Sequence, residues 1–287
     1  MKHIQNLGQI ARPSVLRISR ILAPIIAALA LFAPAHAGQI TLQDLDHLPP
    51  ADLYILGETH DNALHHQAQA RVLRALKPKA VVFEMLSPEQ AARITPALLA
   101  NPPALAEALD WANSGWPDFA LYAPLFAALG DAKIYGAALP KGKVRQAYSE
   151  GAAAVFGPGA ARYGLDQPVP QAQLEQRKQE QFEAHCRAMP LAAMGGMIEA
   201  QRIRDAAFAD ALLRAHQQVG APVVLIAGAG HAHYDWAVPA ALQAADSGLS
   251  LLSVALLEAP AQPQKRYDLW LETAAAERED PCLAFAK

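Results

Sequence analysis

Short, mostly apolar runs recur along the chain between longer segments of helical periodicity. The clearest of these runs covers residues 221–227, and the others cover 53–56, 80–83, 133–138, 251–257 and 267–271. A strand that is apolar on both faces must be covered on both, and alternation with helices favours parallel connections. The sequence therefore predicts an α/β fold, a mostly parallel β-sheet flanked by helices. The helical stretch 141–218 is expected to form a cap or lid, with an irregular surface excursion at 151–171.

The first 37 residues form a separate pattern. Residues 1–20 carry basic but no acidic side chains, residues 21–33 are apolar, and Ala35-His36-Ala37 has the small residues of a cleavage site. This order is typical of a secretory signal peptide, and the apolar run is short for a membrane span of about 20 residues. Because Gly38 and not Cys follows, we expect no lipid anchor. The mature protein would be a single domain, 38–287, in a bacterial periplasm, with no membrane span.

Charge and cysteine content exclude several classes of protein. The chain has 24 Lys and Arg against 27 Asp and Glu, a net charge of −3, which argues against nucleic-acid binding. Two cysteines are too few for a zinc site built from four cysteines. In an oxidising compartment Cys186 and Cys282 are expected to form a disulfide, and the alternative is two separate buried thiols.

Polar residues follow three of the predicted strands at the point where each strand ends. The segment 57–62 follows the first strand, Glu84 follows the second, and 228–233 follows the strand at 221–227. Ligands of α/β sheets bind beyond the carboxyl ends of strands, and parallel neighbours bring those ends to one edge. The residues expected to share a polar site are therefore Glu58, His60, Glu84 and His231. The simpler interpretation is that they cap backbone amides and that the glycines only permit tight turns.

Other polar residues are candidates for ligand binding at the same edge. These are Asn62, His65, His66, Arg204, Asp205, His233 and Tyr234. Of the two adjacent histidines, one is expected to face the site and the other to face solvent. Arg204 shares a helix face with Gln201 and could hold a ligand carboxylate in its planar fork, unless this is simply a solvated face.

The order of these segments resembles that of the ChaN-type haem-binding uptake proteins, in the wider Tiki/TraB/erythromycin-esterase superfamily. The resemblance extends over about residues 50–285. It rests on 57–62 with His65-His66-Gln67, the strand ending in Glu84, His185-Cys186 with Met189-Pro190, 201–205, 228–231 and Asp280-Pro281-Cys282. It implies an α/β fold, haem binding linked to iron uptake, and a homodimer with haems sandwiched between subunits.

The resemblance also implies a tyrosine as the iron ligand, but no motif places it. The candidates are Tyr54, Tyr122, Tyr135, Tyr148, Tyr163, Tyr234 and Tyr267. One departure from the family is His233, where another basic side chain is expected. Haem would be held non-covalently, because the chain has no C-x-x-C-H motif.

Two functions of different classes follow. The first is an exported haem-binding protein for haem or iron uptake, working with an outer-membrane haem receptor system and binding haem near 140–170. The alternative is a metal-dependent hydrolase, in which Glu58, His60, Glu84 and His231 hold a divalent metal ion that activates water. Without a metal ion, His60 or His231 would act as the general base.

Overall fold

A parallel β-sheet forms the centre of the computed structural model, which describes residues 38–261, 266–280, 282 and 283. The signal peptide predicted for residues 1–37 and Pro281 lie outside the described residues. Within them, the strands are β1 Gly38–Ile40, β2 Leu53–Glu58, β3 Ala80–Phe83, β4 Lys133–Gly136, β5 Val223–Gly228, β6 Leu251–Glu258 and β7 Leu269–Thr273. Their order is β1-β7-β6-β2-β5-β3-β4, and every pairing is parallel.

The predicted α/β class is confirmed, and every predicted strand is present with its ends moved by two residues or fewer. The short edge strand β1 is not predicted by the apolar pattern. It has only three residues, Gly38–Ile40, and its central Gln39 is exposed, so no apolar run marks it.

Helices cover both faces of the sheet. They are α1 Ala63–Leu76, α2 Pro88–Arg93, α3 Pro96–Leu99, α4 Pro102–Ala108, α5 Phe119–Ala127, α6 Lys141–Glu150, α7 Ala152–Phe156, α8 Gln171–Ala184, α9 Met194–Val219 and α10 Val238–Ala244. Short 3-10 helices lie at Asp44–His47, Trp111–Asn113, Ala160–Tyr163, Leu191–Ala193 and Ala229–Ala232. None of the described helices is long and apolar enough to cross a lipid bilayer.

Alternation along the buried strands produces two hydrophobic cores. In β5, Val224 and Ile226 face the core under α1 and α5, whereas Val223 and Leu225 face the core under α9. Successive side chains of a strand point to opposite faces, so a strand buried on both faces must be apolar at every position. This requirement explains why the central strands read as continuous apolar runs.

The region 141–218 covers the sheet through α9, which packs on β3 and β5. Helices α6, α7 and α8 pack on α9 and form the outer part of this region. The prediction of an irregular excursion at 151–171 is wrong for its first half, which holds α7 and the 3-10 helix Ala160–Tyr163. Three residues of this segment are buried in the core under α9: Ala152, Ala160 and Tyr163. The high alanine content of the segment favoured a loop, but small alanine side chains also allow its helices to pack closely.

The central position of β5 determines which strand ends meet. Glu58 at the end of β2 is in register with Gly228 at the end of β5, and Phe83 of β3 is in register with Ile226. The segments that follow these three strands therefore emerge side by side at one edge of the sheet.

Candidate functional site at the strand ends

Three carboxylates and two imidazoles alternate at this edge. Glu58 Oε1 lies 2.9 Å from His60 Nδ1, and His60 Nε2 lies 3.9 Å from Glu84 Oε2. On the other side of Glu84, Oε1 lies 3.4 Å from His231 Nε2, whose Nδ1 lies 2.6 Å from Asp205 Oδ1. We call this series, Glu58–His60–Glu84–His231–Asp205, the strand-end relay. It contains the four residues that the sequence places at strand ends, together with Asp205 from α9.

Gly228 allows Glu84 and His60 to approach the backbone at the end of β5 closely. Its N–H donates to Glu84 Oε2 at 2.8 Å. A Cβ at Gly228 would lie 2.9 Å from His60 Nε2, which is too close for an ordinary contact. Gly228 has φ −60°, so it is required here for close approach and not for a left-handed turn.

The charges in the relay are set by burial and by mutual attraction. Burial opposes protonation of His231, but the negative charges of Glu84 and Asp205 outweigh it and raise its pKa to about 10. Burial likewise opposes ionisation of Glu84, yet His231, His60 and the Gly228 N–H lower its pKa to about 2. Asp205 has fewer such partners, and its burial raises its pKa. At neutral pH the centre of the relay is thus an ion pair of Glu84 with protonated His231.

His60 is the accessible imidazole of the relay, with 33% of its side chain exposed. Burial alone would lower the pKa of His60, but its hydrogen bond to the Glu58 carboxylate and the negative charges of Glu84 and Glu58 outweigh burial and raise the pKa. The ring also contacts Trp116 edge-on, with ring centroids 4.8 Å apart. His60 is therefore a positioned base at the surface of the relay.

Glu58 is held from behind by two buried rings. The hydroxyl of Tyr122 donates to Glu58 Oε1 at 3.3 Å and lies 3.2 Å from the carbonyl of His60. His66 Nε2 bonds the same carbonyl at 2.9 Å, and its Nδ1 lies 3.4 Å from Glu58 Oε2. Tyr122 could not be placed by sequence reasoning, because it lies in α5, far along the chain from any strand end.

The relay opens into a cavity of about 510 Å³. We call it the strand-end cavity, and it is lined by His60, Glu84, Ser114, Gly115, Trp116, Ala138, Leu139, Lys141, Gln201, Arg204, Phe208, Gly228, Gly230 and His231. Arg204, one of the candidate binding residues, lies on its wall. Lys141 and Trp116 come from loops or helix starts that carry no recognisable motif, so the sequence did not reveal them.

Among the described residues, no group of three or more His, Cys, Asp or Glu side chains is arranged to hold a metal ion. The geometry of the relay gives the reason. His231 uses both ring nitrogens toward Asp205 and Glu84, and His60 uses Nδ1 toward Glu58. A metal ion binds an imidazole through the lone pair of a ring nitrogen. A metal ion bound through these nitrogens would therefore have to displace the contacts that they make now.

Several candidate residues lie outside the strand-end cavity. Asn62 caps α1 through the N–H of Leu64 and donates to Glu258, and Tyr234 is an exposed side chain in another depression. His233 is buried and stacked on Trp236, and its burial lowers its pKa to about 3, so it supplies no positive charge. Neither ring nitrogen of His233 has a hydrogen-bond partner among the described residues.

The adjacent histidines differ from the prediction that one of them faces solvent. His66 faces Glu58, and His65 is also fully buried. His65 Nδ1 accepts the N–H of Thr59, and its Nε2 lies 2.9 Å from Thr273 Oγ1. The prediction was wrong because Thr59 and Thr273 provide hydrogen-bond partners for both ring nitrogens of His65 within the protein. Burial lowers the pKa of His65 to about 4.

A second depression of about 520 Å³ lies beyond the same face of α9. We call it the α9 groove, and it is lined by Val144, Arg145, Tyr148, Gln181, His185, Met197, Ala200, Gln201 and Arg204. Arg204 and Gln201 line both the groove and the strand-end cavity. The Tyr148 ring packs against Gly196, where any Cβ would lie 2.7 Å from the ring, so the glycine in the first turn of α9 accommodates this tyrosine.

The C-terminal segment is attached next to the groove and next to the sheet. Cys186, which follows His185, is disulfide-bonded to Cys282, with Cα atoms 5.4 Å apart. Arg278 forms paired hydrogen bonds with Asp61 and Glu258, both within 2.9 Å. The described end of the chain is therefore held at two points.

Comparisons with known proteins agree with this architecture. ChaN of Campylobacter jejuni, solved with cofacially bound haem, is 21% identical, with a TM-score of 0.59 over 79% of this chain and 89% of that chain. The type III effector HopBA1 is 11% identical, with a TM-score of 0.43 over 78% of this chain and 88% of that chain. No curated protein matches the sequence. The model of the family described as haem-binding uptake, Tiki superfamily, ChaN matches residues 45–242. The chain therefore belongs to the ChaN family of haem-binding uptake proteins.

Proposed function

We propose that this protein binds haem in the α9 groove, with Tyr148 as the axial ligand of the iron. The observation that carries the proposal is the state of Tyr148. Its side chain is 39% exposed, and its hydroxyl has no hydrogen-bond partner among the described residues. A phenol that is free and accessible in a groove is available to an incoming iron atom.

The other tyrosines are less suited to this role. The hydroxyls of Tyr54, Tyr122, Tyr135 and Tyr163 are engaged in hydrogen bonds, and Tyr267 is buried. Tyr234 is as exposed as Tyr148, but no described Lys, Arg or His side chain lines the depression beside it. The described lining of that depression therefore offers no positive charge for the propionates of haem.

The α9 groove has the chemical character that haem requires. Val144, Met197 and Ala200 supply apolar wall, and Arg145 and Arg204 supply positive charge for two propionates. The groove size falls within the usual range for ligand pockets, about 300–1,000 Å³. Bound haem would supply an iron centre for ligand binding, and His185 also lines the groove.

The proposal is tested by haemin titration of the purified protein. With the wild type, the Soret band of haemin is expected to shift, and the shift should saturate as haemin is added. Tyr148→Phe is expected to lose the spectrum of an iron-bound phenolate and to bind haemin more weakly. Tyr234→Phe, equal in exposure and chemistry, is the matched control and should bind as the wild type does. Equal spectra for wild type and Tyr148→Phe would refute Tyr148 as the ligand, and no saturable shift in the wild type would refute haem binding itself.

We also propose that the protein acts in the periplasm as a homodimer that encloses two haems face to face. Support comes from the signal-like residues 1–37, the disulfide, and the cofacial haems of the Campylobacter jejuni protein. Such a carrier would receive haem from an outer-membrane receptor system. Mass spectrometry of the periplasmic fraction would detect cleavage after Ala37, and light scattering with and without haemin would detect the dimer. A haem-loaded monomer would refute the cofacial arrangement.

The relay supports a second candidate function, metal-independent hydrolysis. His60, oriented by Glu58, would take a proton from a water molecule as the water oxygen bonds to an acyl carbon. The positive charge of protonated His231, which Glu84 and Asp205 maintain, would stabilise the resulting oxyanion electrostatically. The proton on His60 would then pass to the leaving group as its bond to the acyl carbon breaks.

This second function is tested with a panel of p-nitrophenyl esters in the presence of chelator. Turnover that His60→Gln abolishes and Tyr148→Phe leaves unchanged would support it. Turnover that survives both His60→Gln and His231→Gln would come from some other group on the protein and would refute the role of the relay.

A further inference from the structure

Arg177 of α8 is a buried cation without a hydrogen-bond acceptor. The residue is only 6% exposed. Among the described residues, no carbonyl, hydroxyl or carboxylate oxygen accepts a hydrogen bond from its guanidinium. Its close neighbour is the indole ring of Trp236, whose centroid lies 5.7 Å from Cζ. A contact with a ring face engages the π system of the guanidinium and leaves its in-plane N–H donors unused.

Unused donors on a buried charge are energetically costly, so their acceptor is expected from whatever fills the adjoining pocket, either water or a bound molecule. Arg177 lines a pocket of about 260 Å³ between α8, α9, α10 and residues 163–170. This Arg177 pocket is several times larger than the ~30 Å³ that one water molecule occupies in the liquid. Much of its wall is apolar, with Leu165, Val169 and Ala240 among the lining residues.

Of the other charged groups that line the pocket, Arg202 and Asp205 already have partners, and Asp235 is exposed to solvent. Arg202 donates to the carbonyls of Gly164, Leu165 and Gln167 and pairs with Glu199. Asp205 is bonded to His231 at 2.6 Å, and no ion pair joins it to Arg177 within the described chain. The neighbouring Asp205 is thus largely balanced by protonated His231, whereas Arg177 keeps its donors for a ligand.

We propose that the Arg177 pocket binds a small monocarboxylate with a short apolar tail. The planar guanidinium matches the two oxygens of a carboxylate, and the apolar walls accommodate the tail. This site is separate from the α9 groove and does not depend on haem. Its occupant would lie beside Asp205, and so beside the acidic end of the strand-end relay.

The proposal is tested by tryptophan fluorescence with sodium butyrate as the probe, because Trp236 lines the pocket. The wild type is expected to show a saturable change in emission that Trp236→Phe removes. Butyramide, which has the same tail without the charge, and sodium chloride at equal ionic strength should give no saturable change. Arg177→Gln should raise the dissociation constant by about tenfold or more, whereas Arg187→Gln, an exposed arginine just after α8, should leave it unchanged.

A second variant keeps the test independent of the stability of Arg177→Gln. Ala240→Leu fills the pocket from α10 and leaves Arg177 in place, and it should also abolish the response. Circular dichroism would establish that each variant is folded. The proposal is overturned if wild type shows no saturable response to butyrate, if butyramide binds equally well, or if folded Arg177→Gln or Ala240→Leu protein binds butyrate as wild type does.

Discussion

Raising the pH should destabilise this protein through a single buried histidine. His231 has an ordinary pKa of 6.5, and its carboxylate partners raise the pKa in the folded state to about 10. A group whose folded pKa is raised stabilises the fold fully below its unfolded pKa, and this stabilisation is lost as the pH rises through the folded pKa. The affected window therefore runs from about pH 6.5 to about pH 10.

The size of the effect follows from these two pKa values. With 6.5 unfolded and about 10 folded, the stabilisation is about 4 kcal/mol at pH 7 and about 1 kcal/mol at pH 9. The free energy of unfolding should therefore fall by about 3 kcal/mol between these pH values. Urea unfolding followed by circular dichroism at pH 7 and pH 9 measures this difference.

Variants separate His231 from other titrating groups. In His231→Gln, Glu84 and Asp205 lose their shared cation, so overall stability should drop by about 3–5 kcal/mol. The further loss between pH 7 and pH 9 should be nearly absent. His47→Gln, at an exposed position, should keep the wild-type dependence. If His231→Gln lost as much stability from pH 7 to pH 9 as wild type, the ion pair at the centre of the relay would be refuted.

Three further outcomes are expected. Cys186→Ala with Cys282→Ala should lower the free energy of unfolding by about 4–5 kcal/mol, because the disulfide closes a loop across 96 residues; urea midpoints equal to those of wild type would contradict this. Arg278→Ala should lower the free energy of unfolding by about 1 kcal/mol, since its ion pairs are partly exposed. It should also speed proteolysis of the C-terminal segment, and cleavage at the wild-type rate would argue against an anchoring role for Arg278. Gly228→Ala should displace His60 and shift its NMR titration, and an unchanged titration would show that the relay tolerates a Cβ there.

The strand ends were predictable because parallel topology forces them together. Apolar runs identified the strands. Because β5 pairs in register with β2 on one side and β3 on the other, the three segments that follow these strands lie next to one another at one edge of the sheet. Glu58, Glu84 and His231 needed no further information. His60 is two residues past its strand and reaches the relay because Gly228 leaves room for its ring.

The remaining parts of the site depend on helix packing, which periodicity does not specify. Tyr122, Trp116 and Lys141 come from segments whose placement on the sheet follows from tertiary contacts. The sequence predicts that one of the two adjacent histidines faces solvent, yet both are buried, including His65. It is buried because Thr59 and Thr273 satisfy both ring nitrogens, and a hydrogen-bonded histidine can be buried at low cost.

Helix α9 connects the three cavities and explains why their functions need not coincide. Gln201 and Arg204, one turn apart, form the wall between the α9 groove and the strand-end cavity. Asp205 is the next residue, so it points to another face of the helix, where it meets His231 and borders the Arg177 pocket. A ligand on Arg204 would adjoin the open side of the relay, and a ligand beside Asp205 would adjoin its buried end. Because the two residues are adjacent in α9, we expect that a ligand in the groove and a ligand in the pocket would each affect His231 without sharing a site.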